Sequence, residues 1–314
     1  MIKIFITNKR GVLFTLLTII IVSLFALSYS FLSNTNSRES TQKRIETLNS
    51  YVYTVEEDIS RNLFVAGFRT TYITLEEIRQ NPNIINSNFT SVFNESFFEG
   101  TYNGNSKSLM QGATFKDIIK DLENSSSRIN ANVTIENASV YVNQVDPWNL
   151  RFNMKFRLKV WDLNGFVSWD KETIASSIVP TKYFDDPMYI SKTKGNYNVK
   201  VKETIYNNLS NVNNFSWHLD GEYYINHSDA PSFLNRLEGK FIADPNGVES
   251  FIDLDKLALI YQTIGGNIEN RSNIDYMYFS ENNSIWCKVT TISIAPARLD
   301  ANHRAFYGQN TCYP

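Results

Sequence analysis

Val12–Leu32 (VLFTLLTIIIVSLFALSYSFL) runs for 21 positions without a charged residue, a proline or a glycine. At 1.5 Å per residue such a helix covers roughly 30 Å, the thickness of a bilayer's hydrocarbon core. A core helix of a water-soluble domain would carry a polar stripe, and only scattered Ser and Thr occur here. The segment predicts a membrane-spanning helix. It is longer than the apolar region of an ordinary cleaved signal peptide, and SFLSNTNS after it offers no good small-x-small site, so a retained anchor is expected.

Flanking charge sets the expected orientation. Lys3, Lys9 and Arg10 precede the segment with no acid, whereas Arg38, Lys43 and Arg44 after it are offset by Glu39 and Glu46. The bias favours a cytoplasmic N-terminus and an extracytoplasmic remainder at the cell membrane. The whole chain carries −2; removing the +3 tail leaves −5 for the exported part. A 42% hydrophobic content excludes a disordered chain. The near-neutral, slightly acidic balance argues against nucleic acid as a partner.

From Ser33 to Gln80 there is no proline and one glycine, Gly67. Ile45, Leu48, Val52, Val55, Ile59, Leu63, Ala66 and Ile73 recur at helical steps. The stripe is narrow up to Asn62 and then broadens with Phe64, Phe68, Tyr72 and Leu75. One long helix is expected: membrane span, exposed stalk, and a last third sunk into a head. Asn81-Pro82 ends it. A break near Ser33–Ser37 is the alternative. The organisation is thus a basic tail or leader (1–11), a span (12–32), a stalk (33–80) and an exported head (81–314).

The head reads as α+β with a mainly antiparallel sheet. Helices are expected over Ser87–Glu99 and over Thr114–Ile129, the second opened by a Thr114/Asp117 cap. Leu150, Phe152, Met154, Phe156, Leu158 and Val160 alternate with Arg151, Asn153, Lys155, Arg157 and Lys159, a half-buried strand with a basic outer face. Asp162-Leu163-Asn164-Gly165 makes a turn into a return strand at Phe166–Trp169. Tyr197–Ile205, Ser216–Ile225, Ile274–Phe279 and Ser284–Ile294 also read as strands, Phe251–Ile264 and Leu299–Tyr307 as helices.

Chemical signatures are sparse. Cys287 and Cys312 are the only thiols; in an oxidising compartment they form one disulfide, two free cysteines being the alternative. Sequons for glycosylation stand at Asn88, Asn94, Asn124, Asn132, Asn137, Asn208, Asn214, Asn226, Asn270 and Asn282, a mild excess over chance. Ser-x-x-Lys pairs at Ser40/Lys43, Ser168/Lys171 and Ser191/Lys194 match chance, and no nucleotide, hydrolase or zinc-protease motif occurs. On a strand, His218, Asp220 and Glu222 would share one face, which reads first as solvated and only second as a metal or acid–base site. Asp170, Asp185 and Asp186 read as turn and surface residues. Neither a catalytic, a cofactor nor a metal site is expected from these patterns.

The junction Lys9-Arg10-Gly11-Val12-Leu13-Phe14 resembles the class III signal of type IV pilin-like precursors, archaeal ones especially. Blocks further on fit the same picture: Asp146-Pro147-Trp148-Asn149, Phe184–Tyr189, Ala230–Leu234, Gly247–Phe251 and Ile274–Phe279. The chain is similar to uncharacterised archaeal membrane-anchored proteins with such N-termini. This resemblance implies cleavage between Gly11 and Val12 by a prepilin peptidase, and homo- or hetero-oligomers through the apolar helix. Leu16 departs from the acid that many bacterial pilins carry at that place, so an uncut anchor stays open. The expectation is a non-enzymatic, pilin-like structural or adhesive envelope protein. The alternatives are an anchored glycan- or peptide-binding receptor and, third, an envelope hydrolase using His218, Asp220 and Glu222.

Overall fold

The computed structural model describes residues 9–83, 88–265, 268–280, 285–291 and 297–313, with the backbone alone at 9–12, 33–37 and 183. α1 (Lys9–Gln80) is one helix of 72 residues, roughly 110 Å long. Gly11 and Val12 lie inside it, and it stops immediately before Asn81-Pro82 as expected. Leu13–Leu32 has a mean hydropathy of 2.2 and is fully exposed, long and apolar enough to cross a membrane.

Burial begins at Leu48 and continues through Val52, Val55, Ile59, Leu63 and Ala66 to Ile78. The head therefore takes in more of the helix than the expected last third. The charged residues flanking this stripe suggested an exposed rod, but they only mark its outer sides. The reason is a match of lengths. Residues 48–80 make about 50 Å of helix, and β4, the central strand beneath them, spans about 46 Å.

After α1 come α2 (Phe89–Glu99), a minimal hairpin of β1 (Thr101–Tyr102) and β2 (Asn105–Ser106), and α3 (Phe115–Arg128). Thr114 and Asp117 close a reciprocal cap on α3, as its sequence predicts. Next, β3 (Ala131–Asp146), β4 (Asn149–Asp162) and β5 (Ser168–Pro180) form an antiparallel sheet with β4 in the middle. Leu150, Phe152, Met154, Phe156, Leu158 and Val160 all face the core from β4, each at most 1% exposed. On the outer face, Arg157 pairs with Asp170 of β5 at 2.6 Å and Lys159 with Glu136 of β3 at 2.8 Å. Lys155, Arg157 and Lys159 of the basic stripe are thus each paired with a carboxylate of a neighbouring strand. Where the hairpin turns, the Asp162 carboxylate accepts from Arg44 of α1 at 2.6 Å, clamping the helix where it enters the head.

The remaining chain packs short elements beside this layer: α4 (Pro187–Lys192), α5 (Val212–Asp220), β6 (Ile225–Asn226), α6 (Phe233–Leu237), β7 (Val248–Glu249), α7 (Leu254–Ile264), α8 (Asp275–Phe279), β8 (Trp286–Val289), β9 (Ala297–Asp300) and α9 (Ala301–Phe306). β6 pairs with β7 and β8 with β9, both antiparallel. A second apolar cluster gathers Phe215, Phe251, Ile274, Leu299 and Tyr307.

Several sequence expectations change here. Ser216–Ile225 is mostly the helix α5, capped by Asn211, and only Ile225 enters a strand. Ile274–Phe279 is the helix α8. Tyr197–Ile205 has the buried alternation of a strand, with Tyr197, Val199 and Val201 inside. It pairs only through single bridges at Lys200 and Glu203. Of Ser284–Ile294, β8 accounts for Trp286–Val289, while 284 and 292–294 lie outside the described residues, as does Ser87, where the first helix of the head is expected to begin. Leu299 and Asp300 belong to β9, so the last helix is shorter than its pattern suggested.

Cys287 and Cys312 form a disulfide with Cα atoms 5.6 Å apart, tying the C-terminal tail to β8. The tail also bridges β8 between Lys288 and Tyr313. Closing a loop of 25 residues stabilises by roughly 3.5 kcal/mol in the chain-entropy picture. Cys287→Ser should lower the unfolding free energy by about 2–4 kcal/mol, read by denaturant titration against the oxidised parent.

At Gly67 the backbone of α1 runs directly against a side chain of β4. A Cβ there would lie 2.7 Å from the Phe152 ring, itself wedged edge-on against Phe93 at 4.7 Å. Alanine gains up to about 1 kcal/mol of helix propensity, yet the overpacking costs about 1–3 kcal/mol. Gly67→Ala should therefore be net destabilising in thermal unfolding, and adding Phe152→Leu should recover part of the loss. A stabilised single variant would contradict this packing.

Candidate functional site

The head's buried polar groups converge on one region. Arg236 projects from α6, whose N-terminus Ser232 caps. Its Nη1 donates to Asp186 at 2.5 Å and to Asp275 at 2.7 Å, and its Nη2 donates to the Val248 carbonyl. Ser250 Oγ donates to Asp275 at 2.9 Å and shares a 3.0 Å bond with Tyr189 Oη. Tyr224 Oη donates to Asp186 at 2.8 Å. All these side chains lie within the core. Burial pushes the Asp275 carboxyl up to about 6, against the opposing pull of Arg236. Asp186, read from sequence as a surface turn residue, is instead fully buried and caps α4 through the Met188 amide. Asp170 and Asp185 stay nearer the surface, paired with Arg157 and Arg79.

Beside this centre lies a second cluster. β7 presents Glu249, α9 presents His303, and the segment after β6 presents His227. Glu249 Oε2 is 3.2 Å from His303 Nε2 and 3.7 Å from His227 Nδ1. Tyr307 Oη donates to Glu249 Oε1 at 2.7 Å. On its other nitrogen His303 is held by Asp300, with Nδ1–Oδ2 at 2.5 Å. The two imidazoles stack at 5.0 Å, and Phe306 packs edge-on against His227 at 4.4 Å. Ligand atoms of His227, Glu249 and His303 all fall within 4.8 Å of one another. Burial lowers the affinity of His303 for its proton, but the hydrogen bonds and charges of Asp300 and Glu249 prevail and raise it to about 10.

The residues grouped in sequence do not meet. His218 sits on α5, buried, its Nδ1 2.9 Å from Thr204 Oγ1, with its ring edge-on to Phe251. Asp220 is exposed at the end of that helix. Glu222 faces elsewhere, accepting from Tyr197 Oη and Lys256 Nζ, both at 2.7 Å. A strand would have aligned the three; the helix separates them. Sequence reasoning missed His227, Glu249 and His303 because they lie far apart along the chain and match no spacing motif. The one available signal was that two of only three histidines occupy segments rich in aromatic residues.

An open cleft of about 490 Å³ lies elsewhere, lined by Pro82, Met188, Lys192, Lys194, Lys240 and Phe241. Lys192 Nζ stands 5.0 Å over the Phe241 ring and Lys240 pairs with Glu238 at 2.6 Å. Of the sequon asparagines, Asn88, Asn94, Asn124, Asn132, Asn137, Asn208, Asn226 and Asn270 are exposed and Asn214 is half-buried. Asn282 lies outside the described residues. Lys9, Arg10, Gly11 and Val12 are described in backbone only.

No protein family, curated protein or solved structure matches this chain.

Burial alone lowers His218 to about 4, from an ordinary value near 6.5. In the unfolded chain the imidazole takes up a proton as the pH falls through about 6.5, while the folded one stays neutral until about 4. Stability from this residue is whole above that window and is lost across it, by about 3 kcal/mol. The full chain in detergent should therefore lose more stability between these limits than His218→Gln does. Parallel pH profiles for the two would contradict the burial described.

Proposed function

We propose that this protein is a membrane-anchored, pilin-like structural protein of the cell envelope, with its head outside the cytoplasm. The observation that carries the reading is α1, one helix with two kinds of surface. From Leu13 to Leu32 its apolar side chains are fully exposed, whereas from Leu48 onward the same helix is the spine of the head. Apolar surface of that extent needs a cover, and lipid or the corresponding helices of other copies are the two covers of matching chemistry. The basic residues before it favour a tail held at the cytoplasmic face.

A continuous helix also transmits position. A head joined to its anchor by a helix is held at a fixed distance and orientation, which suits a repeating assembly better than a swivelling receptor. The paired charges on the outer face of β4 and the disulfide in the tail fit a durable extracytoplasmic body. The Lys9-Arg10-Gly11-Val12 junction suits removal of the leader by a prepilin peptidase, leaving the apolar helix at the new N-terminus.

The mature N-terminus, determined by mass spectrometry in cells with and without prepilin peptidase, tests this reading. It should begin at Val12 only when the peptidase is present, and the processed protein should enter the sheared polymer fraction. A chain beginning at Met1 in both strains, recovered only from membranes, would overturn assembly and leave a lone anchor.

A further inference from the structure

The buried polar region carries an imbalance of charge that its protein partners do not remove. Asp186, Glu249, Asp275 and Asp300 supply four buried carboxylates, while Arg236 is the one buried guanidinium among them. Two ion pairs use Arg236 with Asp186 and Asp275, leaving Glu249 and Asp300 to be balanced by the histidines. Buried charge needs a compensating partner. His303 alone, when protonated, supplies one positive charge between two carboxylates.

We propose that His227, Glu249 and His303 bind a divalent transition-metal ion of the zinc class, with Asp300 as the positioning residue for His303. The donor set of two imidazoles and one carboxylate is one that such ions take readily. In a tetrahedral site with ligand bonds near 2.1 Å, neighbouring ligand atoms stand about 3.4 Å apart. The two measured edges are 3.2 Å from His303 Nε2 and 3.7 Å from His227 Nδ1, both to Glu249 Oε2. The third lies inside the 4.8 Å that encloses the set, so closure of the His227 ring on the other two donors completes the triangle.

The surroundings are arranged for that exchange. Asp300 holds the Nδ1 proton of His303 and so directs Nε2 at Glu249, the carboxylate–imidazole pairing that orients metal-bound histidines. Tyr307 holds the far oxygen of Glu249, leaving Oε2 as the inward donor. His227 Nδ1 accepts the Asp229 amide at 3.2 Å, a bond given up when that nitrogen takes the metal. Metal entry displaces one proton, from His303 Nε2, and replaces that nitrogen's contacts with Glu249 and Tyr276, while the Asp300 and Tyr307 hydrogen bonds stay in place. The ion would join β7, α9 and the segment after β6, stapling the C-terminal part of the head.

The test uses the full chain in detergent, stripped with a chelator and dialysed against Zn²⁺, with Co²⁺ as a spectroscopic substitute. One equivalent should bind, Co²⁺ should give the intense visible bands of a tetrahedral site, and Zn²⁺ should raise the melting temperature. His227→Gln, at a partly accessible position, should weaken binding about 100-fold or more and abolish the thermal shift, while Asp300→Asn should weaken it about 10–100-fold. Circular dichroism and the Cys287–Cys312 bond report that each variant is folded. Failure of the parent to take up Zn²⁺, or equal affinity in the parent and folded His227→Gln, would overturn the proposal.

Discussion

The contact between α1 and the inner face of β4 supports everything else in the molecule. A helix stripe running from Leu48 to Ile78 lies along a strand whose inward residues are all buried. The two elements have nearly equal lengths, so neither projects far beyond the other inside the head. Gly67 allows the Phe152 ring to sit against the helix backbone, and Arg44 with Asp162 closes the far end. Because the same helix continues without interruption to Lys9, the sheet fixes the direction in which the apolar N-terminal half leaves the head. The apolar segment and the head are then mechanically one object.

The second half of the head is organised differently. It has short helices and strands of two or four residues, too small to be stable by their own ladders. Their positions are set by side chains reaching inward. Arg236 draws together the segments that carry Asp186, Val248 and Asp275, and Glu249 does the same for His227, His303 and Tyr307. A polar centre of this kind specifies which segments meet rather than adding much net stability. Four separate segments converge on Arg236: Phe184–Tyr189, Ala230–Leu234, Gly247–Phe251 and Ile274–Phe279.

Legibility followed the range of the interactions. The apolar helix long enough to span a membrane, the end of α1 at Asn81-Pro82, the cap of α3 and the alternating faces of β4 all rest on neighbours within one helical turn or one strand. These were readable from the residues. Ser216–Asp220 and Ile274–Phe279 were misread as strands because aromatic and β-branched residues favour extended structure locally. Two features override that tendency: a local one, the Asn211 cap on α5, and a tertiary one, the grip of Arg236 on Asp275 at the start of α8. Asp186 looked like a turn residue because Asp-Pro usually is one, and nothing near it in sequence announces Arg236. The His227, Glu249 and His303 cluster was hidden for the same reason, while His218, Asp220 and Glu222 were adjacent in sequence and are apart in space.

Distance across the junction between span and head is the most direct check on a single rigid helix. Nitroxide labels at Ser30 and Thr54, both exposed, are separated by a helical rise of about 36 Å. In liposomes, pulsed dipolar spectroscopy should return one narrow distribution centred near that distance. A broad distribution, or one displaced to markedly shorter distances, would mean that the helix breaks between membrane and head and that the two do not move as one body.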